Sequence, residues 1–304
     1  MYFKKAKPSD PLKKYIQYYW IVKEDGYRMI REINPSANIC VCFNKESNTS
    51  YKMISKDFAE VEKQSANSFL KKIDVNPIIV RNAIIGPHRN IIIESSEKNI
   101  CSFGIEFKTS ASNRFFGKEI KNLTDNIIPL DITNMALSRL ADIVSKCTME
   151  NLFNTVDNYL INKYLPYITS KTRNECLLEL INEVSDNPFD ANIDIMANKL
   201  HTCQRNFERL FKQYTGLTPK QFISIKKINK VIERMIEHQR KNLVEILESC
   251  GYYDQAHINR DFKIIGGLSA TQIFQNIKNR LTSSPDVLCL NYDIDGVCGF
   301  NLLM

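Results

Sequence analysis

One short pattern occurs twice in this chain of 304 residues. The first copy runs Ile195-Met196-Ala197-Asn198-Lys199-Leu200-His201, continues to Phe211-Lys212, and ends Gly216-Leu217-Thr218-Pro219. The second runs Ile246-Leu247-Glu248-Ser249-Cys250-Gly251, continues to Phe262-Lys263, and ends Gly267-Leu268-Ser269-Ala270. Each copy reads as a short helix, a tight turn and a second helix ending Arg-x-Phe-Lys. These endings are Arg209-Leu210-Phe211-Lys212 and Arg260-Asp261-Phe262-Lys263. Two helices meeting steeply through a turn of about three or four residues form a helix-turn-helix.

The apolar positions say which way each second helix faces. Phe207, Leu210 and Phe211 pin the first to its core, and Ile258 and Phe262 pin the second. The opposite face offers Gln204, Arg205, Glu208 and Arg209 in the first unit. In the second it offers Gln255, Ala256, His257, Asn259 and Arg260. The forked donors of Arg, Gln and Asn match guanine and adenine edges in the major groove. These nine residues are therefore the base-contact candidates. A plain helical bundle with a polar surface is the bland alternative, and a second unit in the same segment weighs against it.

Charge supports the DNA reading. The chain holds 41 Lys+Arg against 34 Asp+Glu, a net +7. Residues 196–282 hold 15 basic and 7 acidic side chains, so the rest of the chain is close to neutral. A localised basic domain points to a polyanion, most often nucleic acid. Lys212, Lys226, Lys227 and Lys263 are the phosphate-contact candidates, which position rather than specify.

The first half is different. Short β-rich runs such as Ile39-Cys40-Val41-Cys42-Phe43, Ile78-Ile79-Val80, Ile91-Ile92-Ile93 and 102–107 alternate with Gly, Pro and Asn. Such spacing predicts a sandwich or small barrel. After Pro129 the period becomes helical, over 135–147 and 151–164. That apolar helical segment offers a surface for homodimerisation or for packing within the chain. The fold expected is α+β. A β-rich, cupin-like N-terminal domain with flanking helices spans 1–168. An all-α domain of two helix-turn-helix units joined by a long helix, about Pro219 to Glu237, spans 169–282. A tail follows over 283–304, where fraying is the expectation for a terminus.

Catalytic chemistry is not signalled. No P-loop, GxGxxG, H-E-x-x-H or G-x-S-x-G occurs, and the four histidines show no metal-ligand spacing. No catalytic residue, metal or cofactor is expected. Nine scattered cysteines without a C-x-x-C fit reduced thiols in a cytoplasm. Cys40 and Cys42 share one face of a strand and read as buried structural thiols. No stretch is apolar enough to span a membrane. Tyr15, Tyr18, Tyr19 and Trp20 could line an effector pocket, though such clusters are more often core.

The second copy, Gly251-Tyr252-Tyr253-Asp254-Gln255-Ala256-His257-Ile258-Asn259-Arg260-Asp261-Phe262, closely resembles the second recognition element of the AraC/XylS family of bacterial transcription regulators. The resemblance covers about 171–278. A looser one, in Pro8-Ser9-Asp10-Pro11-Leu12, Tyr15 to Trp20, Gly86-Pro87 and Ile105-Glu106-Phe107, extends it to a sensor domain attached to many such regulators. It implies a DNA-binding regulator, more often an activator, with double-stranded DNA and RNA polymerase as partners. A small-molecule effector and a homodimer are also implied. The two units would enter successive major-groove segments about 34 Å apart. By family position, Arg205 and Gln255 are the base readers. Arg209 and Arg260 serve partly the fold or phosphates. An enzyme that borrows the same module, such as a DNA-repair methyltransferase, is the alternative.

The sequence departs from the family at Cys203, where Ser usually caps the recognition helix. Cys is a poor cap, and Thr202 takes over if the helix starts one residue earlier. Ala270 stands for a Pro, and Lys226-Lys227 for an Arg. Asn34-Pro35-Ser36-Ala37 replaces a Pro-Asp-Gly, and Phe107-Lys108-Thr109 replaces a Phe-x-Pro.

Overall fold

A computed structural model describes residues 2–24, 29–46, 48–54, 77–96, 99–116, 120–130, 135–168, 174–238, 241–252, 258–259, 261–262, 269–283, 292–293, 296–297 and 300–301. The N-terminal half contains strands β1 (Tyr2–Ala6), β2 (Ile16–Glu24), β3 (Met29–Ile33), β4 (Ile39–Asn44), β5 (Thr49–Ile54), β6 (Ile78–Val80), β7 (Asn82–Ile85), β8 (Ile91–Ser96), β9 (Ile100–Phe107) and β10 (Ile127–Pro129). One sheet has the order β1-β2-β9-β4-β7-β10, and its pairings are antiparallel. The other contains β3-β8-β5-β6.

The six-stranded sheet is covered on both faces, which explains its unbroken apolar runs. On one face Tyr18, Trp20, Val22, Cys42 and Ile85 meet Tyr51 and Ile92 of the other sheet. On the other face Tyr19, Ile21, Val41 and Phe103 meet a helical layer. All eight residues of β9 are buried.

That layer is built from α1 (Thr109–Phe116), α2 (Ile120–Leu123), α3 (Met135–Lys146), α4 (Leu152–Lys163) and α5 (Leu165–Ile168). Leu137, Leu140 and Val144 of α3 and Leu152, Val156 and Leu160 of α4 are buried against the sheet. Each such side chain contributes roughly 1.5–3 kcal/mol. The apolar surface of 135–165 is thus consumed within the chain. It is not left over as the dimerisation face that the sequence also allowed.

The C-terminal half contains α6 (Glu175–Asp186), α7 (Ile193–Lys199), α8 (Gln204–Thr215), α9 (Pro219–Glu237), α10 (Leu243–Ser249) and α11 (Ala270–Ser283). The helix α9 begins on a capping box. The Thr218 side chain accepts from the Gln221 backbone, and the Gln221 side chain accepts from the Thr218 backbone. Pro219 stands at its first turn, where a missing N–H costs nothing. Its buried residues include Phe222, Ile225, Ile228, Val231, Ile232 and Met235, which form the spine of one core with Phe207, Phe211, Ile246 and Phe262. The tail is not wholly frayed. Its residues 300–301 form a strand that pairs with β3, because β3 otherwise leaves an edge open.

Candidate nucleic-acid interface

The first unit consists of α7, a turn and α8. Asn192 caps α7, its side chain accepting from the backbone N–H groups of Asp194 and Ile195 at 2.9 and 3.1 Å. The turn passes through His201 in the left-handed region, φ +49°. Gly251 takes the same place in the second unit, φ +75°, after α10. Asn242 caps α10 by accepting from the Glu245 backbone at 2.9 Å. Both turns therefore share one backbone solution, with histidine in one and glycine in the other.

Cys203 is the N-cap of α8, and its side chain makes no capping bond. Thr202 does not take over. Its hydroxyl instead accepts from the Asn206 side chain at 2.7 Å, because the helix starts at Gln204 and not one residue earlier. Among the described residues no side chain is seen to cap the first turn of α8. The positive end of a helix in that state suits a phosphate. Phe207, Phe211 and Thr215 anchor the helix inward. Gln204, Arg205, Arg209 and Lys212 are exposed, and Glu208 is half-buried. Gln204 donates to Glu208 at 3.1 Å, and Arg209 donates to Asn206 at 2.9 Å. Arg205 has no such intrahelical partner among the described residues and lies on the open face.

In the second unit Ile258 and Phe262 are buried, as the pattern required. Asn259 is turned inward. Its side-chain oxygen accepts from the Ala270 backbone N–H at 3.3 Å, at the start of α11. Asn259 is therefore a structural contact, with its acceptor engaged at a helix start. Gln255, Ala256, His257, Arg260 and Lys263 lie outside the described residues.

The lysines of α9 divide. The Lys226 ammonium is buried against the N-terminal half and donates to the Asn38 side chain at 3.1 Å. Burial lowers its pKa to about 8. An ammonium held there does not reach DNA, so Lys226 leaves the phosphate set. The reason is that α9 is covered by the β-rich half as well as by its own core. Lys227 lies over the Phe189 ring at 5.9 Å and stays half-exposed.

This contact between halves was not foreseen in the sequence. Ser110 donates to Asn182 at 2.6 Å, Arg114 pairs with Glu175 at 2.8 Å, and Asn229 donates to the Pro35 carbonyl at 3.1 Å. Thr124 donates to the Gly216 carbonyl at 3.2 Å. The helices α1 and α2 thus rest on the C-terminal end of α8, leaving its Gln204–Arg205 end open. The one legible signal was the spacing Phe222, Lys226, Asn229, which places polar groups on a second stripe of α9.

The aromatic quartet is core. Tyr15, Tyr18, Tyr19 and Trp20 are all at most 9% exposed. Tyr19 donates to Asp157 at 2.8 Å and stacks on Phe103. Only Trp20 lines the cavity between the sheets, whose volume of 20 Å³ holds about one water. A larger cleft of 260 Å³ lies between the halves, lined by Lys13, Lys14, Gln17, Lys108, Lys226 and Asp186 among others.

Residues 196–276 match a family of helix-turn-helix domains. That match covers the segment whose motifs resemble the AraC/XylS regulators. Residues 4–129 match a second family, a domain of unknown function (DUF6597). A curated relative, the probable transcriptional regulator LumQ of Photobacterium leiognathi, is 23% identical over 125 residues, 40% of this chain. The match spans about half of that relative's length, 50%. Among solved structures, ToxT from Vibrio cholerae is similar at 10% identity and a TM-score of 0.45, over 90% of this chain and 98% of that one. A ToxT structure bound to (E)-4-(8-methylnaphthalen-1-yl)but-3-enoic acid is similar at 13% identity and a TM-score of 0.43, over 90% and 99%. Among the described residues no helix is long and apolar enough to cross a membrane, and no group of three or more His, Cys, Asp or Glu could hold a metal.

Proposed function

We propose that this chain is a sequence-specific DNA-binding regulator that activates transcription through contact with RNA polymerase. The observation that carries the reading is the first recognition helix. Its buried face is fixed by Phe207 and Phe211, and its open end presents Gln204 and Arg205 within a segment of net positive charge. Arg205 reads a guanine by its forked donors, and Lys212 and Lys227 hold phosphates. Gln255 plays the corresponding part in the second unit.

The regulatory half supplies a seat for an effector. The cleft between the halves is the better place for it than the aromatic quartet, because its 260 Å³ far exceeds the 20 Å³ beside Trp20. Four lysines against Asp186 favour an anionic small molecule.

The test is selection of sites from randomised duplex DNA with the full-length protein at near-physiological salt. Two short conserved blocks about one turn apart are expected. A doubled pair of blocks would add a homodimer. Retention of DNA only at low salt, with no enriched sequence, overturns the reading.

A further inference from the structure

The sulfurs of Cys40 and Cys42 lie 3.6 Å apart on the inner face of β4. Both are thiols, Cys42 fully buried and Cys40 half-buried. Both line the water-sized cavity between the sheets. The DNA-binding reading makes no use of this pair.

The separation is informative. Bonds of about 2.3 Å from a soft centre to two thiolates, at tetrahedral or slightly smaller angles, put the sulfurs about 3.5–3.8 Å apart. A soft centre can bridge this pair with neither sulfur moving. A disulfide needs them at about 2.05 Å, which β4 would have to deform to reach.

The surroundings choose the kind of centre. A tetrahedral divalent cation wants four ligands. No set of three metal-binding groups stands here among the described residues. His88 is committed elsewhere, since its ring nitrogens face the carbonyls of Gly86 and Asn34 at 2.8 and 2.9 Å and the ring donates to one of them. Apart from Glu106, which is occupied by the Cys40 thiol, what remains is two sulfurs and space for one oxygen. A buried site also favours a ligand that adds no net charge. Independently, Asn34 is 8% exposed, lines the same cavity, and holds a side-chain N–H group buried without an acceptor. An oxygen in that cavity would supply the missing acceptor. Glu106 stands beside the pair and accepts from the Cys40 thiol.

We propose that Cys40 and Cys42 form a binding site for a trivalent, thiophilic oxyacid of the arsenite class. In the binding step arsenous acid condenses with the two thiols. Two S–H and two As–O bonds break, two As–S bonds form, and two waters leave. The third hydroxyl stays on arsenic and occupies the cavity. Arsenic remains trivalent, the net charge does not change, and no oxidant is consumed.

The chain carries its own reporter, since Trp20 is its only tryptophan and lines this cavity. Sodium arsenite titrated into the reduced full-length protein should change Trp20 fluorescence saturably, with one arsenic retained per chain after desalting. Cys40→Ser and Cys42→Ser should each abolish retention, and the exposed-thiol variant Cys176→Ser/Cys203→Ser should keep it. X-ray absorption at the arsenic edge of the wild-type complex should show two sulfurs and one oxygen, a readout independent of whether the variants fold. No retained arsenic, retention by Cys40→Ser, or a shell of three sulfurs overturns the proposal. Stoichiometric cadmium uptake at the pair with arsenite excluded overturns it as well.

Discussion

The ammonium of Lys226, on the long helix joining the two helix-turn-helix units, donates to the side-chain oxygen of Asn38 in the β-rich half at 3.1 Å. Asn38 also accepts from the Thr109 hydroxyl at 2.9 Å, so one amide ties the sheet, the first helix of the N-terminal half and the C-terminal helical half together. The cost is electrostatic. Burial lowers the Lys226 pKa from 10.5 to about 8, while Glu106 nearby partly offsets this. Burial also raises the Glu106 pKa, against bonds from Cys40 and Asn38.

Stability should follow these shifts with opposite signs. Below about pH 8 the folded chain carries a buried ammonium that the unfolded chain would hold in water. Between about 8 and 10.5 the folded chain loses that proton while the unfolded chain keeps it, so stability rises with pH. Glu106 works the other way, because the folded chain keeps a proton that the unfolded one has lost. Its share of stability therefore falls as pH rises from 4.5 towards its raised value. Thermal melting of wild type, Lys226→Met and Glu106→Gln checks this. Lys226→Met should lose the alkaline rise and Glu106→Gln the acidic fall. An alkaline rise that persists in Lys226→Met assigns it to another group.

DNA binding should separate two kinds of residue. Arg205→Ala should cost about 1–3 kcal/mol on the preferred site and relax one base position. Lys212→Ala should weaken all DNA alike and lower the salt slope by about one unit. Lys226→Ala should leave that slope unchanged, since its ammonium faces Asn38. Binding isotherms at several salt concentrations, on the selected site and on a scrambled one, distinguish the three.

The two units were legible in sequence because each carries an anchored helix with its own local periodicity. Phe207, Phe211, Ile258 and Phe262 are buried as their spacing required. The helix Pro219–Glu237 was legible through Thr218, Pro219 and Gln221, which act within one turn. The roles of Lys226 and Asn259 were not. Each is set by a partner distant in sequence or in the next helix, Asn38 and Ala270, and a polar side chain looks the same whether it meets water or another domain. The sheet covered on both faces was half-visible. Apolar runs such as 39–43 declared burial but not what lay on either side.

The paired turns invite a backbone test. Gly251 has φ +75° and, among the described residues, nothing within 4 Å of an added Cβ, so Gly251→Ala meets the left-handed backbone penalty. It should destabilise by about 1 kcal/mol. His201 bears that penalty already, at φ +49° with an exposed side chain. His201→Gly relieves roughly 1–2 kcal/mol of strain and loses about 0.5–1 kcal/mol to chain entropy, a net gain of about 0–1.5 kcal/mol, opposite in sign to Gly251→Ala. Chemical denaturation of both variants measures the difference. A stabilising Gly251→Ala would show that the turn is not left-handed.

Gly104 tests the inner face of the barrel. It pairs in register with Trp20 on β2 and with Cys42 on β4. A Cβ placed there would lie 1.9 Å from the Trp20 indole, which cannot yield as a flexible chain end would. Trp20 is 1% exposed and wedged between the sheets. Gly104→Ala must therefore push the indole toward the 20 Å³ cavity beside Cys42. Overpacking of this kind costs typically 1–3 kcal/mol. The variant should melt several degrees lower, with a shifted Trp20 emission in the folded state. The DNA-binding half, whose core does not include Trp20, should keep its affinity wherever the variant remains folded. An unshifted emission and unchanged melting temperature would mean that the indole does not lie over Gly104.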